Sequence, residues 1–159
     1  MTNEFLKYTN EIEPAGVLVN MQETLYDYDR GLQGAVLRMT RNQKFDTAIL
    51  KDFLSGIASL SLTLLSDKTD EDFFHLSNRL AETLHQKNLD YGDSYTQSIE
   101  AWKEFGYINL GQRIHDKVSR LQNEGSYNVS EAVEDTLLDT AGYAVLALKY
   151  LEEHKNEKN

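Results

Sequence analysis

The sequence predicts an all-α protein, a helical bundle of five or six helices, and three observations support that fold class. Pro14 is the single proline among the 159 residues, and because proline is the strongest helix breaker, the chain after it is free to be helical. Apolar residues recur mainly at helical spacing. Short segments rich in turn and capping residues separate these stretches. We expect one domain over residues 1–159, because this length is typical of a single core.

The N-terminal part, residues 1–68, is predicted to contain an arm and two apolar helices. The elements are a loosely held arm over residues 1–14, a helix from Val17 to about Arg41 and a helix from about Thr47 to Leu65. Gly31 and Gly34 predict a break in the first helix, and Asp46 is a suitable N-cap for the second. We expect these helices either to complete the bundle or to form a dimer interface.

The C-terminal part is predicted to contain the remaining helices. They run from the Thr69 capping box to about Asn88, from Asp93 or Ser94 to Phe105-Gly106, from about Asn109 to Glu124, and from a cap at Asn128 to about Glu153. In the capping box, Asp72 follows Thr69 by three positions. The turn formers between Asn88 and Ser94 predict a break in the helix there.

Charge and composition exclude several classes of function. The formal net charge is −10 and the chain has no cysteine, so we expect no binding to extended nucleic acid or to an anionic membrane surface, no disulfide and no thiolate metal site. We also expect no membrane span, since the longest apolar run, Ile57 to Leu65, is interrupted by serines and a threonine. The N-terminus lacks the pattern of a signal peptide. These features predict a cytoplasmic protein.

Acidic residues form a stripe along the last predicted helix. Glu131, Asp135 and Asp139 recur every four residues, and Glu134 lies at the edge of the stripe. The rest of this helix is so apolar that we expect it to be central in the bundle, with the stripe facing protein. Clustered carboxylates are ligands that Mg²⁺ accepts. The alternative is a solvated acidic first turn favoured by the helix dipole, which explains Asp139, two turns in, less well.

The preceding predicted helix carries a basic stripe, which consists of Arg113, Lys117 and Arg120. Long cationic side chains beside an apolar row can bind an anion held between the two stripes. The alternative is that they form ion pairs with Asp135 or Asp139, or are solvated.

A compact turn and four histidines complete the candidates. Lys87 to Asp93 supplies a lysine, an aspartate, an aromatic ring and a glycine in one tight turn. The ring of Tyr91 can stack on a base, and the carboxylate of Asp90 can bind a metal or a ribose hydroxyl. Asn, Asp and Gly are also ordinary turn residues. The histidines show no ligand spacing and are interpreted as surface or packing residues; they are His75, His85, His115 and His154.

These segments together resemble a known family. Lys-x-x-Asp-Tyr-Gly at Lys87–Gly92, Arg-x-x-x-Lys-x-x-Arg within Gly111–Leu121 and Glu-Asp-x-x-x-Asp within Ser130–Tyr143 look like the nucleotide modification associated domain 1 family. That family is common in phages and related to MazG-like all-α nucleoside triphosphate pyrophosphohydrolases. The resemblance covers roughly residues 75–152, which would form the nucleotide-associated helical core.

The resemblance implies roles for individual residues. The nucleotide would be bound by Lys87, Asp90, Arg113, Lys117 and Arg120, and Mg²⁺ would be held by Glu134, Asp135 and Asp139, which would also act in catalysis. The residues themselves add Tyr91 to the predicted nucleotide site and Glu131, from the acidic stripe, to the predicted metal site. MazG-type enzymes carry a further Glu-x-x-Glu pair on an earlier helix, where this chain offers only Glu82.

Two main functions follow, and we keep both as hypotheses. The first is a Mg²⁺-dependent nucleotide phosphohydrolase that assembles as a homodimer or larger homo-oligomer, in a host cytoplasm if phage-encoded. The alternative, favoured by the missing glutamates, is a non-catalytic phage protein that sequesters a nucleotide or nucleotide-derived signal, or inhibits a host protein. A third reading is a helical interaction module that uses the apolar faces of residues 17–65, with the charged stripes serving as ion pairs.

Overall fold

The chain is an all-α bundle in a computed structural model that describes residues 2–16, 20–42, 44, 46–91, 106–124 and 130–153. These ranges contain six helices and no strand, which confirms the predicted fold class. The helices are α1 Leu6–Thr9, α2 Met21–Asn42, α3 Thr47–Thr69, α4 Phe73–Tyr91, α5 Gly106–Glu124 and α6 Ser130–Glu153. One hydrophobic core joins all six, so α2 and α3 complete the bundle.

The ends of α3 follow from its capping residues. Asp46 caps the helix as predicted, and its carboxylate accepts hydrogen bonds from two backbone N–H groups of the first turn at 3.1 and 3.2 Å. The helix continues beyond the predicted end at Leu65 to Thr69. It stops there because Asp70 adopts the left-handed conformation, with a φ of 59°.

Two predictions about α4 are corrected by the structure. Asp72, and not Thr69, is the N-cap, because its Oδ2 accepts from two backbone N–H groups at 3.0 and 3.2 Å while Thr69 still belongs to α3. The helix also continues past Asn88 to Tyr91. Lys87 and Asp90 therefore lie on the last turns of a helix, because tertiary packing outweighs the turn propensity of this segment.

The packing of α2 on α3 depends on two glycines and two aromatic rings. The ring of Phe53 lies against Gly31 and the ring of Tyr28 lies against Gly56, so closely that a Cβ at either glycine would collide with the ring. The two rings also meet edge to face, with centroids 6.1 Å apart. The predicted break near Gly31 and Gly34 is wrong, since α2 is continuous.

The N-terminal arm is held by the bundle, contrary to the prediction of a loosely held segment over residues 1–14. Phe5 and Ile12 are buried in the core, and α1 packs on α4 and α6. Lys7 Nζ lies 3.2 Å from Oε1 of Glu152 on α6, and this carboxylate raises the pKa of the lysine. Two buried apolar side chains are enough to fix so short a segment.

Helices α3 and α6 form the centre of the bundle and make the most extensive helix-helix contact. Among the described residues, α3 is the one helix that by length and composition is long and apolar enough to cross a membrane. From the sequence, we expected no segment of this length and hydropathy. The hydropathy of α3 has a structural role, because Ile57 and Leu62 are fully buried in the core of the bundle.

Candidate functional site

A cavity of about 620 Å³ lies between α4, α5 and α6. Its described lining combines apolar, aromatic and charged side chains from all three helices. The lining residues are Leu80, Thr83, Leu84, Lys87, Asn88, Arg113, Asp135, Leu138, Asp139, Gly142, Tyr143 and Leu146. A cavity of this size, with an apolar wall and a few polar groups, is typical of a small-molecule site.

The spacing of residues on α6 explains how its side chains reach the cavity. Asp135, Asp139 and Tyr143 follow one another at intervals of one helical turn, so they share one face. Gly142 lies on the same face, where a Cβ would be 3.6 Å from each of Leu80 and Leu84 on α4. That distance is an ordinary contact, so the glycine leaves a shallow space between the two helices.

The acidic and basic stripes meet at this cavity. Lys117 Nζ on α5 lies 3.1 Å from Oδ2 of Asp139 on α6, and the two side chains are 20% and 40% exposed. The prediction that the two stripes come together is confirmed by this pair. The same pair also agrees with the alternative interpretation, in which the basic stripe neutralises the acidic one.

The guanidinium of Arg113 lies over the ring of Tyr143, with Cζ 5.7 Å from the ring centroid. This distance is within the range of a cation–π contact, and the N–H groups of an arginine in such a contact can still donate hydrogen bonds. Lys87 lines the same cavity from a different helix, α4. Two cations from different helices therefore face one space.

The structure places the predicted site residues unequally. Four of them line the cavity and a fifth, Lys117, pairs with one of those four; the four are Lys87, Arg113, Asp135 and Asp139. Glu134 and Arg120 are described but are not among the lining residues. The side chains of Asp90, Tyr91 and Glu131 lie outside the described part, and so do the predicted short helix before Gly106 and the cap at Asn128.

The carboxylates fit a magnesium site only in part. Asp135 and Asp139 line one wall, but no group of three metal-ligating side chains occurs among those the structure describes. Oδ2 of Asp139 already accepts a hydrogen bond from Lys117. Glu82, the acid of the earlier helix, is exposed. The binding of Mg²⁺ at these carboxylates stays a prediction.

A hydrogen-bonded cluster around the buried side chain of Asp29, between α2 and α5, was not predicted from the sequence. Asp29 on α2 has a side chain only 4% exposed, and its Oδ2 lies 2.8 Å from Nδ1 of His115. A carboxylate can only accept, so the ring nitrogen is the donor. Gln33 joins the cluster, because its Nε2 donates both to Oδ1 of Asp29 at 3.1 Å and to the carbonyl of Gly111 at 2.8 Å.

A sequence signal for this cluster existed on α2. Asp29 lies between Leu25 and Leu32 on the apolar face of the helix, where a charged residue requires a partner. The sequence does not indicate which residue is the partner, since His115 is 86 residues away from Asp29. The cluster ties α5 to α2 and so holds the helix that carries Arg113 and Lys117.

The protein is therefore an all-α helical bundle with a cavity lined by apolar and charged side chains. Comparison of the chain with protein-family models, with curated proteins and with solved structures found no match. The resemblance to the nucleotide modification associated domain 1 family therefore stays a prediction that rests on the motifs themselves.

Proposed function

We propose that this protein binds a nucleotide in the cavity between α4, α5 and α6. The observation that supports this most is the lining, where Arg113, in a cation–π contact with Tyr143, and Lys87 of α4 border the same space of about 620 Å³. Phosphate groups are bound by arginine and lysine, and nucleobases pack on apolar and aromatic surfaces. Both kinds of surface are present in this one cavity.

The phosphate would be bound by the two cations. The Arg113 guanidinium is oriented by its contact with Tyr143, so less side-chain freedom is lost when an anion binds. Its planar fork matches two phosphate oxygens, whereas Lys87 provides a point charge from α4. Because both side chains are exposed in the open cavity, their attraction for the anion is screened by salt.

The nucleoside part would occupy the apolar wall. Leucines from α4 and α6 line the cavity, namely Leu80, Leu84, Leu138 and Leu146. The carboxylate of Asp135 is exposed at the same wall and can accept hydrogen bonds from ribose hydroxyls or from an exocyclic amino group. A purely apolar ligand would leave these charges without partners.

Hydrolysis of the nucleotide is the second candidate, and the placement of Asp135 and Asp139 on one wall supports it. A metal-dependent reaction would need both carboxylates, yet Asp139 is paired with Lys117. This pairing favours binding without turnover, as in a protein that sequesters a nucleotide. The homo-oligomer and a host protein target are further proposals that rest on the family resemblance, and the cytoplasmic location is a proposal that rests on composition and on the N-terminal pattern.

The test is binding of a nucleotide panel to the wild-type protein and to Arg113→Gln, by calorimetry, with Mg²⁺ and with a chelator, while chromatography follows products. We expect binding by the wild type and an affinity at least roughly tenfold lower in the variant, since a charged phosphate contact is lost. Arg38→Gln, an exposed arginine of α2, is the matched control. Absence of binding by any nucleotide, or equal affinities in wild type and Arg113→Gln, would contradict the proposal.

A further inference from the structure

The charged side chains that line the cavity have a small positive net charge. Lys87 and Arg113 bring two positive charges and Asp135 brings one negative charge. The charge of Asp139, the other acidic lining residue, is matched by Lys117 at 3.1 Å. The described lining with its paired lysine therefore carries a net charge of only about +1, so it attracts an anion of low charge but cannot offset a highly charged one.

We infer that the ligand carries a single phosphate, so that the site takes a nucleoside monophosphate in preference to the triphosphate; this rests on the proposed function. A phosphate monoester has a charge of about −1.5 to −2 at pH 7, which two cations neutralise. Each further phosphate adds negative charge beside Asp135 and Asp139. Without a metal ion, nothing in the described lining offsets that charge.

The net charge of the whole chain acts in the same direction. At −10, the protein repels a highly charged anion more strongly than a singly phosphorylated one. This repulsion between exposed charges is screened by salt over about 8–10 Å at ordinary ionic strength. Raising the salt concentration should therefore reduce the penalty for a triphosphate and narrow the difference between the ligands.

The carboxylates also indicate that the ligand has a nucleoside part. Inorganic phosphate would meet the two cations but would leave Asp135 facing an anion with no donor between them. A nucleoside monophosphate instead brings hydroxyl and amino donors for the carboxylate, and an apolar face for Leu84 and Leu138. The site should accordingly discriminate against free phosphate as well as against the triphosphate.

The experiment titrates the full chain, in the presence of a chelator, with the nucleoside, mono-, di- and triphosphates of each base and with inorganic phosphate. We expect the monophosphate to bind most tightly and the triphosphate at least roughly tenfold more weakly. Asp135→Asn should raise the affinity for the triphosphate relative to the monophosphate by about threefold or more, because one negative charge leaves the cavity. Asp67→Asn, an exposed carboxylate of α3, changes the net charge equally outside the cavity and should leave the ratio unchanged.

Each outcome is decisive. Tighter binding of the triphosphate without metal would overturn the inference and leave the proposed nucleotide binding intact. If no nucleotide binds, the proposed function fails and the inference fails with it. If Asp67→Asn changes the ratio as much as Asp135→Asn, net charge rather than the cavity sets the preference, and the inference is wrong.

Discussion

The two sides of α6 are built on different principles. Toward α3 it packs with fully buried side chains such as Leu137 and Ala141, and the α2–α3 pair beside it closes through glycine–aromatic contacts. Toward α4 it presents Asp135 and Asp139 to an open cavity. One helix therefore combines the centre of a close-packed core with the wall of a polar site. The comparison indicates that packing is complete where stability is needed and incomplete where charged groups must stay accessible.

The largest expected effect comes from truncating a leucine on the packed side. Leu62 of α3 is fully buried, so Leu62→Ala should lower the free energy of unfolding by about 3–5 kcal/mol. Leu138 of α6 is only partly buried and borders the cavity, so Leu138→Ala should cost about 1 kcal/mol or less. Urea denaturation followed by circular dichroism measures both. Equal losses would show that the cavity side is packed as tightly as the core.

The second effect concerns the Asp29–His115 pair, which joins α2 to α5. The substitution His115→Ala leaves the buried carboxylate of Asp29 with Gln33 as its remaining described partner. It should lower the free energy of unfolding by about 2–3 kcal/mol. Removing Asp29 as well should cost less than the two single losses added together, since no buried charge is then left. His75→Ala, at an exposed histidine, is the control and should cost about 0.5 kcal/mol or less. Additive losses at Asp29 and His115 would argue against a coupled pair.

The helices and one of their caps could be predicted from sequence because those signals are local. Apolar periodicity gave five long helices, and Asp46 gave the start of α3. The signals failed where distant contacts decide. The residues around Phe5 give no indication that its ring is buried. The turn formers around Asn88 predict a break, but α4 continues through them to Tyr91. In each case packing between segments far apart in sequence outweighs local propensity.

The candidate site was predictable in part for the same reason. Helical spacing placed Arg113 with Lys117 and Asp135 with Asp139, and the structure brings these two stripes together. The spacing of residues within one helix could not show that Asp139 would pair with Lys117, or Asp29 with His115, because each pair joins two different helices. Which side chains pair depends on how each helix is rotated about its axis. That rotation is determined by the packing of the whole core.

The smallest expected effect on stability is at the ion pair of the cavity, Lys117–Asp139. Both side chains are partly exposed, so Asp139→Asn should lower the free energy of unfolding by about 1 kcal/mol or less. Asp52→Asn, at an exposed position of α3, is the control for loss of one negative charge. Thermal denaturation of both variants gives the comparison, and a loss of several kcal/mol at Asp139 alone would mean that the pair is buried more deeply than the structure indicates.

The same variant distinguishes an ion-pair partner from a metal ligand. If Asp139 serves to neutralise Lys117, the amide frees the lysine to face the cavity, and nucleotide affinity in the presence of a chelator should be kept or should rise. If Asp139 holds Mg²⁺, as the family resemblance implies, the variant should instead lose the part of the affinity that depends on Mg²⁺, because a neutral amide is a weaker ligand for a hard cation. We expect the first result, since Oδ2 of Asp139 lies 3.1 Å from Lys117 Nζ. Titration of the folded variant with and without Mg²⁺ measures the difference, and a selective loss with Mg²⁺ would restore Asp139 to a metal site.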